Sequence, residues 1–281
     1  MKKKIKTLSR YLILIVVGLL LIYPLLFMIF GTVKTNQEIF TSLKLLPDEW
    51  TISPIEVFKE GWDTGTQFTM TTYFLNSFKY VFVNIIFTVI SVVPTAYAIA
   101  RYEFKGKKVV FALVIGTLLV PASLFTIPLF VMWSHLGLTN SYIPLVLPSL
   151  FATNSFFVFM LIQFFRTIPR SLDEASLIDG CNSWQTLTKI LVPIISPAII
   201  TVALLTFVWG MADFQGPLIY ISSAAKFPVT LAIKLLFDAD VTVPYNVVFA
   251  MSLISLIPSV VVFFSAQKYF VEGLSSGGVK G

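Results

Sequence analysis

Long apolar runs alternate with short polar segments along this chain. The first run, 11–30, holds no charged residue and follows Lys2, Lys3, Lys4, Lys6 and Arg10. A helix that crosses a bilayer needs about 20 mostly apolar residues, so this run predicts a spanning helix. A cleaved leader also starts with cations, but its apolar core is only about 7–15 residues and closes on small side chains. Here the run closes on Pro24-Leu25-Leu26-Phe27-Met28-Ile29-Phe30, which predicts an uncleaved span. Similar runs predict further spans at 76–100, 109–133, 143–165, 194–221 and 247–269. The expected fold class is an all-α polytopic membrane protein with six transmembrane helices.

The polar segments divide the chain. A basic arm covers 1–10, the first helix 11–30, an external loop 31–74, a five-helix core 75–270 and a tail 271–281. The loop carries Asp48, Glu49, Glu56, Glu60 and Asp63, with a short helix expected around 55–62. Cytoplasmic segments of membrane proteins carry an excess of Lys and Arg. If the N-terminus is inside, only Lys34, Lys44, Lys59, Lys79, Lys226 and Lys234 of the 20 cations fall outside. Both termini are therefore expected in the cytoplasm, with the chain in the cell membrane. Pro94, Pro121, Pro128, Pro217 and Pro258 fall within the runs. Each removes a backbone donor and is expected to kink its helix.

Composition agrees with lipid as the solvent. The chain is 57% hydrophobic and 12% charged, with a mean hydropathy of +0.88, whereas soluble domains are about 25% charged. The net charge of +6 sits in short segments between apolar runs, which fits topology rather than a nucleic-acid surface. The single Cys181 excludes an intrachain disulfide and a Cys cluster, and the single His135 leaves little imidazole chemistry.

The most informative stretch is 171–193, which is too polar to span. Ser171 and Glu174 have capping-box spacing, so a helix is expected over 172–178. It should stop at Asp179-Gly180, since Gly is favoured just past a helix end. A second helix is expected over 183–191, and Pro193 should open the fifth span. Small residues at Ala175, Ser176 and Gly180 let another backbone approach closely, and Glu174 offers a carboxylate to an Arg of a partner. The same residues also suit a helix that Glu174 caps and Gly180 ends.

Glu174-Ala175-Ser176, then Gly180 after three residues, then Ile190 and Val192-Pro193 resemble the coupling motif of importer-type ABC permeases. Ser176, Cys181 and Val192 depart from its usual residues by small changes. The segments around Asn76, Arg101, Trp209 and Gln267 are similar to the second permease of maltose-type carbohydrate importers. The resemblance implies an ABC importer permease fold and alternating-access import of a sugar or oligosaccharide. It also implies that Glu174, Ala175, Ser176, Asp179 and Gly180 couple to a separate ATPase. Implied partners are a sister permease forming a heterodimer, two ATPase subunits, an extracellular sugar-binding protein and membrane lipid. The tail with Gly277 and Gly278 would reach the ATPase interface. A permease for a non-sugar solute stays open as an alternative.

Polar groups inside spans are costly and often face a cavity. Asn84, Thr88, Asn154, Gln163, Thr206, Asp213 and Gln215 are candidates. Trp209, Asp213, Phe214 and Gln215 combine rings and polar groups that suit a sugar in a translocation path; the same groups also suit bonds between helices or to a sister subunit. The chain has no Gly-x4-Gly-Lys-Ser/Thr phosphate loop. ATP and Mg are therefore expected on the partner ATPase, with no cofactor or catalytic residue on this chain. A membrane-embedded enzyme would need paired acids or His clusters near one membrane face.

Overall fold

A computed structural model describes residues 2–63, 67–237 and 243–275. Gly277 and Gly278 lie outside the described residues. The described residues form an all-helical chain: α1 (Lys2–Gly31), α2 (Asn36–Thr41), α3 (Pro54–Asp63), α4 (Met70–Arg101), α5 (Lys107–Leu118), α6 (Thr126–His135), α7 (Ile143–Val146), α8 (Ser155–Thr167), α9 (Ser171–Ile178), α10 (Ser183–Gln185), α11 (Val192–Ile194), α12 (Ser196–Ala212), α13 (Gln215–Tyr220), α14 (Val229–Leu235) and α15 (Tyr245–Ser275). Among them, four passages are long and apolar enough to cross a membrane, and six if each of two bent helix pairs counts as one.

In the spans expected at 109–133 and 194–221, where Pro121, Pro128 and Pro217 were expected to kink the helix, there are bent pairs, one beside Pro121 and the other at Ile195 rather than at Pro217. The first bends by 98° between Leu118 and Ala122. Pro121 there is extended, with ψ 127°, and has no amide to continue the ladder. The second bends by 79° at Ile195, between α10–α11 and α12. The apolar run continues past Ala212, but the helix does not: Asp213 is extended (φ −68°, ψ 116°) and α13 starts anew at Gln215. The fourth passage is also interrupted, by a 3₁₀ turn at Leu147–Phe151 and by Ala152 in the left-handed region (φ 52°). By contrast Pro94 and Pro258 sit within continuous helices, so proline alone does not break a span here. Helix α1 already starts at Lys2, within the basic arm.

The chain divides into two compact units. The first comprises 1–72 and 232–257. In it Gly31 faces the Phe249 ring and Gly61 faces Met251 closely enough that a Cβ at either would collide. Asn36 joins the two stretches, donating to the Val243 carbonyl (2.7 Å) and accepting from the Tyr245 amide (3.0 Å). Lys34 is fully buried, donates to the Lys44 carbonyl, and lies 3.9 Å from Glu38.

The second unit comprises 73–231 and 258–281. Its core is built by α4, α8 and the start of α12, around Val92, Ala96, Phe157, Leu161, Phe165, Ala198 and Val202. Small side chains on α4 and α12 let the helices meet closely, the usual means of packing in lipid. Gly210 lies against Val81, and Tyr80 donates to the Gly210 carbonyl.

Candidate functional site

The stretch after α8 forms a compact double turn. Helix α9 ends in a Schellman arrangement: Gly180 has φ 77°, its amide bonds the Leu177 carbonyl, and the Cys181 amide bonds that of Ser176 at 2.9 Å. The sequence signal at Gly180 is thus a backbone requirement. The capping box is not where it was expected. Arg170, before Ser171, is already helical, and no side chain caps α9. The box forms instead at Asn182 and Gln185, whose reciprocal side-chain to backbone bonds are both 2.9 Å. Asn182 is extended, as a side-chain cap requires, whereas Ser171 sits inside the helix. Thr186–Leu191 then forms a π-helical turn, a rare irregularity that recurs at functional sites.

Ser176 points inward. It is 1% exposed; its hydroxyl donates to the Asp173 carbonyl (2.7 Å) and meets the Thr186 hydroxyl (2.8 Å). It joins α9 to the π turn and presents no surface. Glu174, Ala175, Asp179 and Gly180 are exposed. So are three large apolar side chains that the sequence reading did not single out: Leu177 (65%), Ile178 (86%) and Trp184 (64%).

Arg101, at the end of α4, anchors this stretch. Its Nε lies 3.4 Å from the Asp173 carboxylate, and it donates to the Ile168 carbonyl at 3.1 Å. A cavity of about 230 Å³ opens beside it, lined by Tyr97, Arg101, Tyr102, Asp173 and Glu174 among others.

A second cavity, of about 290 Å³, lies among the spans of the second unit. Of the polar candidates, Asn84, Thr88, Asn154, Thr206 and Asp213 line it; Gln163 and Gln215 do not. Trp209 lines it and stacks on Phe157 (5.2 Å, 16°). Phe214 and Gln215 are exposed and outside its lining, because the helix stops at Ala212 and carries them off the face of Trp209. Asp213 accepts from the Gly216 amide (3.0 Å), and its carbonyl accepts from Thr230 (2.7 Å). Tyr80 and Ser149 also line the cavity, and Ser149 donates to Asn84. The broken backbone at Ala152–Asn154 meets the cavity through Asn154. That follows the rule that irregular backbone at membrane depth is tolerated where it is buried or lines a cavity.

Residues 92–276 match the family described as "Binding-protein-dependent transport system inner membrane component". The chain belongs to this family. It is 32% identical over 259 residues to the probable ABC transporter permease protein YurM of Bacillus subtilis, covering 92% of this chain and 84% of that one. It is 29% identical over 291 residues to the arabinooligosaccharides transport system permease protein AraQ of Halalkalibacterium halodurans, covering all of both chains. It is 34% identical over 186 residues to the trehalose/maltose transport system permease protein MalG of Thermococcus litoralis, covering 66% and 67%. The fold matches a chain in the crystal structure of a bacterial ABC transporter involved in the import of alginate (TM-score 0.80, 22% identity, 96% and 98% covered). As a member of the binding-protein-dependent family, the chain is a multi-pass transport permease subunit of an ABC importer. Membership implies an ATPase and a substrate-binding protein as partners.

Proposed function

We propose that this permease moves a sugar or oligosaccharide into the cell by alternating access, with ATP and Mg bound by a separate ATPase and no cofactor on this chain. The observation that carries the sugar assignment is full-length similarity to AraQ, a permease of an arabinooligosaccharides transport system. The resemblance to MalG, from a trehalose/maltose transport system, supports it. Both termini lie in the cytoplasm, and a different permease chain completes the membrane pair.

The ATPase docks on 171–193 through Glu174, Ala175, Asp179 and Gly180, over the exposed Leu177, Ile178 and Trp184. Apolar side chains standing in water on an otherwise polar segment are a liability unless another protein covers them. Ser176 acts from inside, holding the docking turn to Thr186. Trp209 and Asp213 line the translocation path; Phe214 and Gln215 lie beside it.

The test is co-purification of the complex from membranes, with ATPase and radiolabelled-oligosaccharide uptake measured on the natural chain and on Glu174→Lys. The expected result is loss of the ATPase from the complex, or ATP hydrolysis without uptake. Normal assembly and uptake in the variant would refute the docking assignment. Uptake of an amino acid or ion in place of every oligosaccharide tried would refute the sugar assignment alone.

A further inference from the structure

A third cavity, of about 400 Å³, is lined by Arg101, Lys107, Arg166 and Arg170 together with Ala100 and the Thr167-Ile168-Pro169 stretch. No carboxylate is in that lining. We propose that it binds a phosphate anion, presented by the headgroup of an acidic phospholipid. This goes beyond the transport reading and does not depend on which solute is carried.

Three observations converge on it. The first is placement. Helix α4 ends at Arg101, α5 begins at Lys107 and α8 ends at Thr167, so the cations stand where three spans leave the hydrocarbon. Lipid phosphates lie at that depth, and basic pockets between spans bind them.

The second is an unsatisfied donor. The Arg101 side chain is 6% exposed, and its Nε and Nη2 have no hydrogen-bond partner. Nε faces the equally unbonded Asp173 Oδ2 at 3.4 Å, an ion pair longer than an ordinary hydrogen bond, which leaves Nη2 as the donor with no acceptor. A buried, unmet guanidinium donor is costly, and a phosphate oxygen is the acceptor it suits best, because the planar fork matches phosphate geometry.

The third is a surplus of positive charge. Lys107 is partly neutralised by Glu103, 2.9 Å away, whose carboxyl that lysine holds below the ordinary range. Arg101 is partly neutralised by Asp173. Arg166 lies over the Phe111 ring at 4.7 Å, a cation–π contact that brings no carboxylate to it. Arg170 adds a further cation. Since Arg101 also holds α9 through Asp173, an anion in this cavity shares its anchor with the docking turn.

The whole importer, with its partner subunits, would be placed in nanodiscs of phosphatidylcholine with or without phosphatidylglycerol. Retained lipid would be counted by native mass spectrometry. Each cation near an anionic headgroup contributes about fivefold in affinity, so Arg166→Gln and Arg170→Gln should each lower phosphatidylglycerol retention about fivefold. Lys105→Gln, an exposed neighbour outside the lining, should leave it unchanged. Both arginines are exposed, and gel filtration of the assembled complex checks that folding is intact. Equal retention in natural and doubly substituted protein, or an equal loss with Lys105→Gln, would overturn the site. Binding of inorganic phosphate that the double substitution abolishes, with phosphatidylglycerol retention the same in both proteins, would overturn the lipid as its source.

Discussion

The Ser176 hydroxyl lies 2.8 Å from the Thr186 hydroxyl, closing the buried seam between α9 and the π turn. This pairing separates two kinds of residue within one short motif. Ser176→Ala removes one bond to a backbone carbonyl and one to a hydroxyl, and should lower stability by about 1 kcal/mol. Ser176→Leu overfills a site that is 1% exposed and should cost about 1–3 kcal/mol. Thermal unfolding of the purified complex reads both. Glu174→Ala should leave the melting temperature unchanged while uncoupling hydrolysis from uptake.

Gly180 holds φ 77° with open space around it. The backbone, rather than crowding, therefore sets the cost of replacing it. Gly180→Ala should destabilise by about 1 kcal/mol, and Gly180→Asn by less, since Asn enters the left-handed region more readily. If Ala and Asn cost the same in thermal unfolding, crowding rather than conformation governs the site.

Arg101 and Asp173 lie 3.4 Å apart, with side chains 6% and 22% exposed. Breaking a buried pair by removing one partner costs about 3–5 kcal/mol. The partial exposure of Asp173 brings the expectation for Arg101→Gln nearer 2 kcal/mol. Adding Asp173→Asn should recover part of the loss, and a thermal-melt double-mutant cycle measures that coupling.

Helices α4 and α12 approach so closely that a Cβ on Gly210 would stand 2.9 Å from Val81 Cγ2. Gly210→Ala should cost about 1–3 kcal/mol through overpacking. Val81→Ala in the same chain should restore most of it, because the obstructing atom is that side chain. Additive losses in the double variant, read by thermal unfolding, would place the strain elsewhere.

Trp209 lines the interior cavity and Phe214 does not. Trp209→Ala should therefore raise the KM of oligosaccharide uptake about tenfold, the scale of a lost aromatic contact. Phe214→Ala should change it little. Matching effects in the two variants would take the solute path away from this cavity.

The apolar runs were readable because lipid demands them: a span must be apolar for its whole length, and a sequence shows that directly. Where the spans break was harder to see. Pro24, Pro94 and Pro258 lie within helices, yet the chain turns by 98° beside Pro121. The outcome at each proline depends on neighbours that the local sequence does not name. Ala152 carries no turn signal at all, and its left-handed backbone is the kind of exception that tertiary packing imposes. In the turn that ends α9, Gly180 was legible because only the backbone constrains it. The inward face of Ser176 was not, since its partner Thr186 belongs to a second, irregular turn. The interior polar residues were legible as a set because charge and amide groups are rare in lipid. The place of Gln215 outside the cavity followed from where α12 stops, whereas Gln163, on α8, lies outside it for a reason the pattern of polar residues does not carry.

The corner at Ile195 has a mechanical meaning. Ile195 is buried, its amide bonds the Leu191 carbonyl at 2.9 Å, and its own carbonyl receives the amides of Ala198 and Ile199. The two arms meeting there at 79° are thus clamped by hydrogen bonds on both sides of the bend. Such a joint behaves as a bell crank: a push along one arm emerges as a swing of the other, with little lost in flexing the elbow.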